Sequence, residues 1–190
     1  MPTLPGLREA AVDAPRRGEG ILGVLEETAD RIAGAAKAAA PPRVAAVYAM
    51  LASAGALPVA LRGGPPPLSP VQYADFATEV IARLETAGLY EEARPLRRAL
   101  TSGRLPVYDL ARSYLLGDLD FVASVSRDLG TAEWLGKVLA ATIAAGSARA
   151  VRMLLEERGS LPAPAREAVC PICGRPLVYG QCSFCLYARR

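Results

Sequence analysis

Between residues 20 and 160, apolar side chains recur three and four positions apart, β-branched runs are scarce, and glycine and proline punctuate the pattern. That spacing lines one face of a helix with 3.6 residues per turn, whereas a half-buried strand needs strict alternation. The chain is therefore expected to be all-α over this span. Its 190 residues suit one ordinary domain plus a small appendage, and with 52% apolar residues it can bury a core. The stretch ILGVLEETADRIAGAAKAAA predicts a first helix over about 21–40, closed by Pro41 and Pro42. A second helix follows to about Ala54. Paired glycines and three prolines in LRGGPPPLSP, Leu61 to Pro70, cannot continue a helix and read as a linker. Ser69 before Pro70 reads as a helix cap followed by proline at the first helical position. Residues 1–19 read as a flexible lead-in.

An internal repeat is expected beyond that linker. Gly88, Gly117 and Gly146 recur with a 29-residue period, and their flanks keep their character. Seven positions before each glycine stand Ile81, Leu110 and Leu139, followed by Ala82, Ala111 and Ala140. Five positions after come Ala93, Val122 and Val151, and eight after come Leu96, Val125 and Leu154. Each glycine would end one helix in the left-handed conformation and start its antiparallel partner. Stacked helical hairpins of this kind, about residues 74–159, form an α-solenoid-like array. A plain bundle of average-length helices joined by short turns produces a similar coincidence, so both architectures stay open. The phrases LLGDLDFVASVSRDLG and AAGSARAVRMLLEERG resemble the helix-turn-helix half of ankyrin-type repeats. The period is shorter and the Thr-Pro-Leu-His opening is absent, so the resemblance carries geometry alone.

All four cysteines, Cys170, Cys173, Cys182 and Cys185, fall in CPICGRPLVYGQCSFCLYARR with the spacing C-x2-C-x8-C-x2-C. Each C-x2-C places two thiolates on one turn, and two such knuckles complete a tetrahedral all-sulfur site that suits Zn2+, with iron in a rubredoxin-like setting as the second candidate. Four protein ligands leave no open position, which points to structural rather than catalytic metal. The stretch resembles the short zinc-ribbon modules with Cys-Pro-x-Cys-Gly knuckles found at the ends of many bacterial and archaeal proteins. The second knuckle, CSFCLY, lacks the customary glycine after its last cysteine, so a less regular turn is expected there. Paired disulfides would need an oxidising compartment, and a redox-active C-x2-C would need a βαβ setting that this segment lacks. Residues 161–169 then read as a linker between helical domain and ribbon.

Histidine is absent, which removes Ser-His-Asp and Cys-His arrangements, histidine metal sites and the usual near-neutral general base. No Gly-rich phosphate loop, serine elbow or convincing carboxylate pair replaces them, so catalytic and cofactor-binding residues are expected to be none. The net charge of +3 permits nucleic acid without implying it. A basic cluster, Arg94, Arg97, Arg98, Arg104 and Arg112, has acidic neighbours Glu91, Glu92 and Asp109 and reads as an ion-paired face. In the ribbon, Arg175, Tyr179, Phe184, Tyr187, Arg189 and Arg190 interleave arginine with aromatics and are the candidate contacts for nucleic acid or a partner. Alternatively the aromatics cover the thiolates. The most apolar stretch, 44–61, is alanine-rich and broken by Ser, Gly and Pro, so no membrane span is expected there. A cytoplasmic chain is expected. The expected function is a non-enzymatic zinc-binding adaptor with a protein partner, and the alternative is a nucleic-acid-binding accessory factor of replication, transcription or translation.

Overall fold

The computed structural model describes residues 21–61, 68–164 and 168–188. Among them are seven α-helices and no strand: α1 (Ile21–Ala39), α2 (Pro42–Ser53), α3 (Pro70–Thr86), α4 (Tyr90–Thr101), α5 (Val107–Leu116), α6 (Leu119–Asp128) and α7 (Glu133–Glu157), with a 3-10 turn at Val59–Leu61. The all-α expectation holds. The lead-in, residues 62–67 of the first linker and 165–167 of the second, and Arg189 with Arg190 lie outside the described residues.

Local chemistry accounts for the helix ends. α2 starts with proline at its first position, where a missing N–H costs nothing. α3 starts on a capping box: the Ser69 hydroxyl accepts from the Gln72 N–H at 3.3 Å, and the Gln72 side chain accepts from the Ser69 N–H at 2.9 Å. α6 is capped by Asp118, whose carboxylate accepts from the Phe121 N–H at 3.1 Å.

Two compact units divide the described chain, one comprising residues 21–29 and 69–144 and the other residues 30–61, 68, 145–164 and 168–188. The first contains two helical hairpins. α3 packs on α4 across the turn at Gly88, and α5 packs on α6 across the turn at Gly117. Both glycines are left-handed, with φ of 88° and 81°, as a helix-ending turn requires. Ile81 and Leu110 before the glycines, and Ala93 and Val122 after them, are all buried. The period read from the sequence thus describes these two hairpins in equivalent registers.

It does not describe a third. Gly146 lies inside α7, which runs without a break from Glu133 to Glu157. Glycine costs about 1 kcal/mol in a helix interior but does not enforce a turn. The surrounding Ala-rich sequence favours helix, and residues 138–151 are all buried, so packing outweighs that cost. By length and composition α7 could cross a membrane, yet 89% of its apolar window is buried inside the protein, as for a helix in a protein core.

Where α7 passes α6, the approach depends on a missing side chain. A Cβ built on Gly136 would stand 1.9 Å from the Ser126 hydroxyl oxygen. That hydroxyl is buried and donates to the Val122 carbonyl at 2.8 Å. Thr131, just before α7, is tied to α4 by donating to the Glu92 carbonyl at 3.3 Å.

Two glycine substitutions should therefore have opposite signs. Gly136→Ala is expected to destabilise by about 1–3 kcal/mol, because the helices must part or the serine must turn away. Gly34→Ala, in the exposed face of α1 with nothing within 4 Å of the new methyl, is expected to stabilise by about 0.5–1 kcal/mol. Urea denaturation of the two variants beside the parent chain checks both.

Candidate metal centre

The cysteine segment folds as two successive copies of one turn, in which Cys170 and Cys173 of the first correspond to Cys182 and Cys185 of the second. In the first, the Cys170 N–H donates to the Arg175 carbonyl at 2.8 Å and the Gly174 N–H to the Cys170 carbonyl at 3.0 Å. In the second, the Cys182 N–H donates to the Tyr187 carbonyl at 2.8 Å and the Leu186 N–H to the Cys182 carbonyl at 2.9 Å. Each copy is closed by an antiparallel bridge, Val169 with Pro176 and Gln181 with Ala188. A third bridge, Val178 with Gln181, joins the copies through Tyr179 and Gly180. Both of these residues are left-handed, at φ 50° and 77°, the signature of a two-residue type I′ turn.

The second knuckle is as regular as the first, contrary to the irregular turn expected from its missing glycine. Leu186 takes the left-handed conformation itself, at φ 59° against 76° for Gly174. Its backbone N–H still reaches Cys182, and that bond together with the closed knuckle holds a leucine where glycine would be less strained.

This duplication brings the four thiols together. All four are buried, and their sulfurs lie within 4.8 Å of one another, an arrangement that can hold a metal ion. The closest pairs take one cysteine from each knuckle: Cys170 Sγ to Cys185 Sγ is 3.4 Å and Cys173 Sγ to Cys182 Sγ is 3.5 Å. A tetrahedron of sulfurs about 2.3 Å from a central zinc has edges of about 3.8 Å, so the donor set fits such an ion in size, number and softness.

Electrostatics point the same way. Hydrogen bonds from Cys170, Cys173 and Cys185 hold the Cys182 thiol far below its ordinary range. Cys170 is also lowered, chiefly by its hydrogen bond with Cys173. Cys173 and Cys185 are pushed well up, first by hydrogen bonding with Cys170, and burial adds to the rise. Four thiolates cannot share one buried site unless a cation balances them, and a divalent ion would draw all four into the deprotonated form.

The knuckles are held by the helical part of the same unit. The N–H groups of Val59 and Ala60 donate to the carbonyls of Pro171 and Ile172, both at 2.9 Å. Arg149 of α7 donates from Nε to the Phe184 carbonyl at 3.0 Å. The Tyr187 hydroxyl donates to the Pro162 carbonyl at 3.0 Å. Ile172 and Phe184, which occupy the same position in the two knuckles, are both buried.

Of the candidate contact residues, Arg175, Phe184 and Tyr187 are buried and Tyr179 is fully exposed. The Arg175 guanidinium stacks on the Phe184 ring at 3.4 Å, a cation–π contact shielded from water. Val178, Tyr179 and Leu186 instead surround an open groove of about 650 Å³ beside the turn. In the basic cluster, Arg94 pairs with Glu91 at 3.3 Å and Arg97 forms a two-pronged pair with Glu85. Sequence reasoning missed Arg149, Val59 and Ala60. A signal existed for the first: Arg149 is the sole charged residue in VLAATIAAGSARAV, residues 138–151.

Comparisons with family models, curated proteins and solved structures give no match for this chain.

The left-handed leucine supplies a test of the second knuckle. Leu186→Gly is expected to be neutral or to stabilise by up to about 1 kcal/mol, and Leu186→Val to cost about 1–2 kcal/mol because a β-branched residue tolerates positive φ worst. Thermal denaturation of the metal-loaded variants checks the order.

Proposed function

We propose that this chain is a non-enzymatic interaction protein whose cysteine cluster is a structural zinc site of the zinc-ribbon type. The observation that carries the reading is the closed set of four buried sulfurs within 4.8 Å. Soft thiolates select zinc over hard cations, and four protein ligands leave no coordination position for a substrate. Zinc bound there would supply charge balance and cross-linking. The residues that would hold it are Cys170, Cys173, Cys182 and Cys185. A reducing compartment keeps such thiols free, which supports a cytoplasmic protein.

The interaction half of the proposal rests on which side chains face outward. Val178, Tyr179 and Leu186 are large, apolar and exposed around one groove, and the partner we propose is a protein segment that covers them. Buried Arg175, Phe184 and Tyr187 support this over a nucleic-acid contact, because stacking on bases and meeting phosphates needs those groups at the surface. Repeated helical hairpins offer a second face for a partner, as stacked helical pairs do in other arrays.

Native mass spectrometry of the purified chain is expected to show one zinc ion per molecule, lost on chelation, and no metal in a Cys182→Ser variant at micromolar zinc. Four free thiols and no metal at saturating zinc would overturn the site. Cys173 and Cys185 are pushed up and must lose their protons to bind metal, so the apparent affinity is expected to fall as pH drops. Competition with a chromogenic chelator at several pH values measures that fall. For the partner, quantitative co-purification from the native host is expected to lose the same proteins when Tyr179 is replaced by Ser and Leu186 by Gly, with metal content unchanged. Bound material that vanishes with nuclease and high salt would instead favour nucleic acid.

A further inference from the structure

The two knuckles are tied to the helical part of their unit through the residues that lie between paired cysteines. Pro171 and Ile172 stand between Cys170 and Cys173, and their carbonyls accept from Val59 and Ala60. Phe184 stands between Cys182 and Cys185, and its carbonyl accepts from Arg149 Nε at 3.0 Å. Arg149 also donates from Nη1 to the Asp30 carboxylate of α1 at 2.8 Å. Its side chain is 1% exposed, while that of Asp30 is 61% exposed. One buried guanidinium therefore joins α7, α1 and the second metal-binding turn.

We infer that Arg149 is the coupling residue that makes closure of the cysteine knuckles and packing of α1, α2 and α7 in this unit a single cooperative event. The inference rests on the proposed metal site and adds its consequence for the helices. Burial of a guanidinium is tolerated only while its hydrogen-bonding partners stay in place. Opening of the second knuckle moves the Phe184 carbonyl, one of those partners. Opening of the first withdraws the acceptors of Val59 and Ala60, which anchor the 3-10 turn that packs on α2. Metal at the thiols and order in the helices then stabilise one another. Such linkage is reciprocal: whatever metal adds to helix packing, helix packing adds to metal binding, so a change at Arg149 that uncouples the two is expected to weaken metal binding. Arg149 touches no sulfur and acts through the Phe184 carbonyl, so it is a positioning residue rather than a ligand.

The test uses the full chain with thiols kept reduced. Hydrogen exchange with mass spectrometry is run on the zinc-loaded protein and after chelation. Removal of metal is expected to lower protection at least tenfold at Val59 and Ala60 and along residues 145–157, as well as in the knuckles. Loss confined to residues 168–188 would overturn the inference. Metal affinity is then measured by chelator competition for Arg149→Lys, which keeps the charge but not the forked geometry, and for Asp30→Asn, an exposed change that leaves the core intact. A fall of tenfold or more for Arg149→Lys, and of a few-fold for Asp30→Asn, is expected. Unchanged affinity in both folded variants would sink the coupling while leaving the metal site standing. Absence of any bound metal in the parent chain would instead bring down the metal-site reading and this inference with it.

Discussion

Four buried sulfurs repel one another as soon as more than one or two are deprotonated, and the fold around them has to answer that repulsion. The polypeptide contributes hydrogen bonds among the thiols, which lower Cys182 and raise Cys173 and Cys185, so the four thiols do not share one ordinary protonation range. A soft divalent cation would ease the conflict, since it offsets two of the four negative charges and draws electron density from all four sulfurs. Everything else in the segment follows from holding sulfurs at that distance. The knuckle is duplicated because each copy must present two sulfurs to the same point. The link between the copies tightens to Tyr179 and Gly180, where both residues are left-handed, because a two-residue turn keeps the flanking segments in register.

The same unit solves a second problem with a charge instead of avoiding one. α7 is almost wholly apolar through its buried middle, and a leucine at position 149 would suit such a helix. Arginine stands there because two polar groups converge on that place: the Phe184 carbonyl, which the knuckle turns toward α7, and the Asp30 carboxylate. An apolar side chain would leave that carbonyl buried without this donor, a cost of about 1–3 kcal/mol. A long, planar, permanently charged donor reaches both groups from one Cα. The ion pair with the mostly exposed Asp30 contributes little stability by itself; the effect of the arginine is to specify how the turn meets the helix.

Features written in local chemistry were legible beforehand. Helical periodicity, proline starts, the Ser69 cap and the glycines at 88 and 117 each carry their cause within a few residues, and the structure places elements there accordingly. The cysteine spacing belongs to the same class. Gly146 misled because its role is decided by what surrounds it in space: the same glycine that ends a helix at an exposed turn is absorbed inside a buried one. Gly136 was illegible for a related reason, and Arg149 was legible only as a charge out of place in an apolar helix, not by its role. Nothing adjacent to Gly136 in sequence announces the Ser126 hydroxyl, and nothing adjacent to Arg149 announces the Phe184 carbonyl. Residues that act across the fold are read from the fold.

Burial also decides which side chains of the cysteine segment face outward. A closed knuckle needs apolar cover over its sulfurs, and the aromatic residues nearest in sequence supply it: Phe184 beneath the Arg175 guanidinium, and Tyr187 tethered to Pro162. Once those groups face inward, they cannot also stack on bases or bind phosphate. The side chains left outside are those the turn itself forces outward, Val178 and Tyr179, with Leu186 at the left-handed position of the second knuckle. Tyr179 is fully exposed and Leu186 about half covered, both at positive φ, and these outward side chains are the ones the proposed partner would cover. The proposed partner surface would then depend on metal through shape alone: a bound ion would fix the turn, and the turn would present the apolar residues.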